Sequence, residues 1–312
     1  MLKTIIIKII YCTRSIFHIS RYLLDAIYSN FFHKKNLPVS CYHFTHPLKK
    51  NLCIFSHFDP NNIIDSYVVY YLHKLSQCDC DIIFVSTCVN LSDIEKNKIK
   101  DICKKIIIKK NRGLDFGAYK HGLITEENLD NYEKLIFTND SIYGPFFNLN
   151  NIISYGEKHH LDMWGATDSY MIKYHIQSYF IVFSRSLFLH PLFKKFWNRV
   201  YNLGLKNNII IRYEIGMSQY FLKHGFKLSA YCSCPILENH MNHDPSHHSW
   251  DKLILNDQYP FIKRMLIRNN PHQVKIHHWR ELINKVSQFD TDLITKHLER
   301  TSSIPGKKHA KS

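Results

Sequence analysis

Two linked segments carry residues whose types and spacing suit phosphate and cation chemistry: NRGLDFGAYK at 111–120 and KLIFTNDSIYGPF at 134–146. In the second, an apolar run over 135–137 stops at Thr138, Asn139, Asp140 and Ser141. A strand that runs into a carboxylate and a turn places that carboxylate at the carboxyl edge of a sheet, where open α/β sheets bind ligands. Asp140, flanked by Asn139 and Ser141, suits Mg2+ or Mn2+, which take oxygen ligands and leave much of their shell to phosphate and water. The competing role is an Asx-turn that closes the strand. In the first segment Asp115 stands between Gly113 and Gly117, with Arg112 before it and Lys120 after it. Glycines let backbone N–H groups approach an anion, and a helix start adds positive potential. A helix N-cap is the competing role for Asp115.

Other polar residues interrupt apolar runs. His57 and Asp59, in HFDP at 57–60, follow the first such run, where a nucleotide docks in α/β folds; Asp59-Pro60 is also an ordinary turn. His175 and Gln177 open the run at 178–183 and either touch ligand or satisfy backbone groups. Glu214 lies in IIIRYEIGMSQYF, an otherwise apolar helical stretch. A carboxylate there is costly unless paired or used. Arg212 is two residues away and does not share its helix face, so Glu214 is a candidate general base. His240, His243, His247 and His248 cluster around Pro245, which breaks any helix between them and removes the i,i+4 pair of a helical zinc site. His247 is the candidate from this group to complete a cation site with Asp140.

The elements that must position these residues alternate. Strands are expected at 52–56, 81–86, 105–109, 135–138, 178–183 and 227–231. Helices are expected at 63–75, 91–103, 113–123, 149–159, 191–203, 209–224 and near 260–267. Ser92 with Glu95 forms a capping-box signature. This alternation implies βαβ units and a mostly parallel central sheet flanked by helices. The expected organisation is an N-terminal helical extension and connection over 1–50, an α/β domain over 51–285, and a C-terminal helix with a disordered tail over 286–312.

The chain has 312 residues, with 41 Lys and Arg against 26 Asp and Glu, a net charge of +15. That balance favours polyanions, anionic membrane surfaces or phosphorylated substrates; a bias toward Ile, Asn and Lys from AT-rich codons accounts for it equally well. Nucleic acid is not an expected partner, because no arginine-rich helix, RNA-binding aromatic motif or zinc-finger spacing is present. Nine dispersed cysteines, an odd number, point to buried thiols in a reducing compartment. Charges break the apolar N-terminus before it reaches the ~18 residues of a spanning helix. A basic amphipathic helix resting on a membrane and a helix packed on the body remain open for it, so the expected location is cytoplasmic, with peripheral membrane contact as one option.

NRGLDFGAYKHGL, FTNDSIYGPF, DMWGATDSY, HIQSYFIVFSR, FKKFWNRV, YEIGMSQYFLKHGF, PSHHSWDKLI and YPFIKRMLIRNNP, in that order over about 53–279, together resemble the rhamnan synthesis protein F family. The resemblance implies a glycosyltransferase with a GT-A-like fold that builds rhamnose-containing cell-surface polysaccharide or lipopolysaccharide. It implies a nucleotide-sugar donor of the dTDP-L-rhamnose kind and a lipid-linked or growing glycan acceptor. In such a fold a strand-end Asp-x-Asp motif holds metal and diphosphate. Asn139-Asp140-Ser141 occupies that place with a single acid, which leaves Arg112 or Lys120 as alternative neutralising groups. The resemblance further implies an inverting displacement with Glu214 as base and Asp140 steadying the leaving group. Trp164 and Tyr143 are candidates to stack on sugar, and Asp168, His175 and Gln177 join Trp164 as candidate acceptor contacts.

Overall fold

A computed structural model describes residues 40–233 and 244–302, together with 20, 24 and 27. Most of the expected N-terminal helix, the C-terminal tail, His240 and His243 lie outside the described residues.

The strands are β1 (Ser40–His43), β2 (Asn51–His57), β3 (Cys80–Ser86), β4 (Lys105–Ile108), β5 (Lys134–Asn139), β6 (Ile142–Tyr143), β7 (Met163–Ser169), β8 (His175–Ile176), β9 (Phe180–Ser184), β10 (Leu228–Cys232) and β11 (Ile262–Lys263). The large sheet runs β1-β4-β3-β2-β5-β9-β7-β10, with β8 paired to β7. β4, β3, β2 and β5 are mutually parallel, whereas β9 enters antiparallel between β5 and β7. The architecture is therefore α/β with a mixed, mostly parallel sheet, as the alternation of elements predicts.

Successive side chains of a strand face opposite sides of a sheet, and β2 shows what this does here. Cys53 and Phe55 join one apolar layer, and Leu52 and Ile54 join the other. A parallel sheet covered on both faces needs such near-continuous apolar strands. On the first face, α1 (Ser66–Gln77) buries Tyr67, Val68, Tyr71, Leu72 and Leu75. On the second, α2 (Leu114–Ile124) buries Phe116, Tyr119 and Leu123. Also on that second face, α3 (Pro191–Asn198) buries Phe193, Phe196 and Trp197.

Two expected helices come out differently. At 91–103 only Asp93–Asn97 is helical. Ser92 does cap Glu95, but the Glu95 carboxylate accepts from the Ile64 N–H instead of returning to Ser92, so the capping box is half made. Near 260–267 the chain first forms β11, which pairs antiparallel with β6, and only then turns into a short helix, Arg264–Asn269. The pairing satisfies the backbone of Ile142 and Tyr143, just beyond Asp140.

Candidate functional site

At the carboxyl end of β5 opens a cleft of about 430 Å³. One wall carries Asp115, Asn139 and Ser141, and another carries His175, Gln177 and Glu214. Asp244, His247, Lys263, Arg264, Arg268 and Lys206 line it as well. Both segments that open the sequence argument therefore meet the Glu214 helix and the His247 region at one place.

Asp115 accepts from Ser56 Oγ and from Asn139 Nδ2, both at 2.9 Å. Burial pushes its carboxyl up to about 6, with the charges of Asp140 and Glu214 adding to the rise. Asn139 Oδ1 is spent on the Ser141 N–H and hydroxyl. Asp140 Oδ2 accepts the Phe58 N–H at 3.2 Å and lies 3.3 Å from Arg264 Nη1. The same guanidinium nitrogen donates to the Asp140 carbonyl at 3.1 Å and to Tyr67 Oη at 2.7 Å. Arg264 is held in place because its own N–H donates to the Ser141 carbonyl at the end of the β6–β11 ribbon.

Glu214 sits in a π-helical stretch, Ile210–Ile215, between the helices Lys206–Ile209 and Gly216–Lys223. Such local widening recurs at functional sites. Its Oε2 accepts from the Ser178 N–H at 3.0 Å and from the Ser178 hydroxyl. Its Oε1 is 3.6 Å from His175 Nε2. His175 Nδ1 lies 2.8 Å from the Lys173 carbonyl, which accepts its proton. Nε2 can then donate to Glu214 only as an imidazolium, so a proton arriving at Glu214 has a second site beside it. Gln177 Nε2 donates to Asp244 at 3.1 Å. Burial acts to raise Asp244, but the Lys263 charge and hydrogen bonds from Ser246 and Gln177 outweigh it and hold the carboxyl below its usual range.

The rhamnan synthesis protein F description matches residues 82–307, most of the chain. The chain belongs to that family. Virulence protein VirA of Vibrio anguillarum is 30% identical over 206 residues, covering 55% of this chain and 66% of VirA. The uncharacterised protein y4gN of Sinorhizobium fredii is 26% identical over 189 residues, covering 59% of this chain and 49% of y4gN. The match thus spans about half of one relative and just under two thirds of the other. Among solved structures, the glycosyltransferase GlyE of Streptococcus pneumoniae superposes with a TM-score of 0.40 and 12% identity, over 84% of this chain and 66% of GlyE.

Several residues expected at the site of this family member lie elsewhere. His57 is buried, with Nδ1 3.1 Å from Ser86 Oγ. Asp59 is bound by Arg300. Arg112 does not line the cleft, and Lys120 donates to the carbonyls of Asn198 and Val200. The glycines serve packing. The Gly113 N–H donates to the Leu203 carbonyl, and a Cβ on Gly117 would lie 2.3 Å from the Arg112 carbonyl. Trp164 is 1% exposed and donates its indole N–H to Ile152. Asp168 is buried and hydrogen-bonded to Tyr174, and Tyr143 Oη meets His297 Nδ1 at 2.7 Å. Conversely, Lys206, Lys263, Arg264 and Arg268 are cleft residues that motif reading passed over. The signal was the basic spacing of IKRMLIR at 262–268; as a plain helix, that segment offered no reason to face Asp140.

The donor set fits a divalent cation poorly at the expected place. Asp140 already receives a backbone N–H and a guanidinium, and Asn139 has spent its oxygen. His247 is buried and neutral, pushed down to about 4 chiefly by burial, and its Nδ1 has no partner among the described residues. Among those residues, the group whose ligand atoms converge is instead Asp59, Asp65 and His297. Arg300 bridges both carboxylates there, so a cation would have to displace it.

Proposed function

We propose that this cleft transfers a glycosyl group from a nucleotide-sugar to a hydroxyl of a growing glycan. Making a rhamnan requires glycosidic bonds. A transferase for that reaction needs a base for the acceptor hydroxyl and positive charge for the departing diphosphate. The observation that carries the reading is the convergence of Glu214 with four cationic side chains, Lys206, Lys263, Arg264 and Arg268, on one cleft.

In this reading Glu214, aligned by Ser178, takes the acceptor proton with His175 behind it. The hydroxyl oxygen attacks the anomeric carbon, the bond to the diphosphate oxygen breaks, and the configuration inverts. A β-linked donor such as dTDP-L-rhamnose then gives an α-linked product. His175 and Gln177 flank the acceptor side. The acceptor is a lipid-linked or oligosaccharide glycan, met at the cytoplasmic membrane surface. Glu214→Gln removes the base while keeping the Ser178 contacts, so it should lower transfer by about 10²–10⁴-fold with nucleotide affinity unchanged. Unchanged turnover would remove Glu214 from this role. A non-catalytic glycan-binding subunit is the second reading; millimolar dTDP, UDP and GDP all failing to bind in titration calorimetry would favour it.

A further inference from the structure

We infer that the donor diphosphate is bound by Lys263 and Arg264, in the strap formed by β11 and the residue after it, in place of a divalent cation, and that Asp140 balances the charge of Arg264 instead of holding metal. The inference rests on the glycosyl-transfer reading and narrows it to a diphosphate site that works without metal.

Three observations support it. First, the strand-end acid of the family's expected metal motif is already neutralised. Arg264 Nη1 contacts the Asp140 carboxylate, the Asp140 carbonyl and Tyr67 Oη, so among the described residues one nitrogen makes the hydrogen bonds of this side chain. A guanidinium carries five N–H donors in a fixed fork; the two on Nη1 are engaged, and the three on Nε and Nη2 remain to meet phosphate oxygens. Second, Lys263 lines the same cleft with its ammonium 3.6 Å from the centre of the Tyr179 ring. Burial disfavours its charged form, and the charges of Asp244 and Glu214 only partly offset this. A desolvated ammonium held against a ring gains hydrogen bonds when an anionic oxygen arrives. Third, the strap is fastened where such a role requires. Lys263 pairs with Ile142 in β11–β6, and the Arg264 N–H donates to Ser141, so both cations are tied by backbone to the residues that follow Asp140. Arg268 and Lys206, both exposed at the same cleft, add charge at its mouth.

The metal account and the arginine account differ in sign at Asp140. If Asp140 held a cation for the diphosphate, Asp140→Asn would weaken binding. If Asp140 only balances Arg264, its removal leaves the guanidinium with more of its charge for the ligand. The experiment is titration calorimetry of the full chain with dTDP, UDP, GDP and inorganic pyrophosphate, in excess EDTA and again with Mg2+ or Mn2+. The expected result is binding in EDTA equal to that with metal. Asp140→Asn should be equal or tighter. Lys263→Met and Arg268→Ala should each weaken binding by about tenfold, the scale of one charge-assisted hydrogen bond. Arg268 is exposed, so that variant keeps the test independent of folding. Binding that appears only with metal, or that is lost in Asp140→Asn, overturns the inference and leaves glycosyl transfer standing. Absence of binding by every nucleotide under both conditions overturns the transfer reading together with it.

Discussion

Glu214 and Asp115 are two cleft carboxylates in different surroundings. Glu214 accepts two hydrogen bonds from Ser178 and faces His175. Asp115 is raised to about 6 by burial and by its acidic neighbours. A raised carboxyl contributes stability in its protonated form. That contribution is full below the unfolded value of 3.8 and is lost as pH rises through about 6. Asp115→Asn should therefore gain on the wild type between pH 4 and 7, by roughly 1–3 kcal/mol. Thermal melts of both proteins across that range check it, and a constant difference would contradict it. The sequence marks Asn139, Ser141, His175, Gln177 and Glu214 because each is polar within or beside an apolar run, Asp115 because it stands between two glycines before a helix, and His247 because it belongs to a cluster of histidines. It does not mark Lys263 or Arg264, since a basic pair in a helical segment reads as solvated surface until β11 is seen to pair with β6. It overstates Trp164, whose indole is a packing group with an internal hydrogen bond.

At the scale of elements, β5 and α2 bring the opening segments together, and the α2 start depends on a close approach. Gly113 has φ of +75°, and Gly117 lies against the Arg112 carbonyl. Gly117→Ala should destabilise by about 1–3 kcal/mol, the usual range for overpacking, measurable as a lowered denaturation midpoint. The C-terminal helix, Asp292–Ser302, is tied to the loop after β2. Arg300 bridges Asp59 and Asp65, and His297 Nε2 lies 3.7 Å from Asp65. Burial, with the charges of Arg264 and Arg300, pushes His297 down to about 3. A depressed histidine stabilises above its unfolded value near 6.5, and that stability is lost as pH falls toward 3. Proteolysis of this helix should accelerate below about pH 6 in the wild type and less so in His297→Asn; equal acceleration would contradict that role. Most element types were legible from apolar periodicity, but not strand β7, whose stretch 163–169 mixes polar and small residues, nor the strand that opens 260–267. The π stretch at Glu214 was not, because a one-residue widening leaves the periodicity of 209–224 almost unchanged.

For the whole molecule, the net charge of +15 and the four basic side chains that line the cleft are separate facts. No helix among the described residues is long and apolar enough to cross a membrane. Peripheral contact, proposed from charge, predicts binding to vesicles containing phosphatidylserine that weakens as salt rises; equal binding to neutral vesicles would contradict it. The parallel half of the sheet was readable from strand and helix alternation. The antiparallel entry of β9 was not, since strand direction depends on which crossover the chain takes between packed layers. The central claim is sugar transfer with Glu214 as base, and release of nucleoside diphosphate from dTDP-L-rhamnose tests it most directly. The wild type should release dTDP, and Glu214→Gln should bind the donor equally well while releasing it at least about a hundredfold more slowly. Equal release by both proteins would contradict the account.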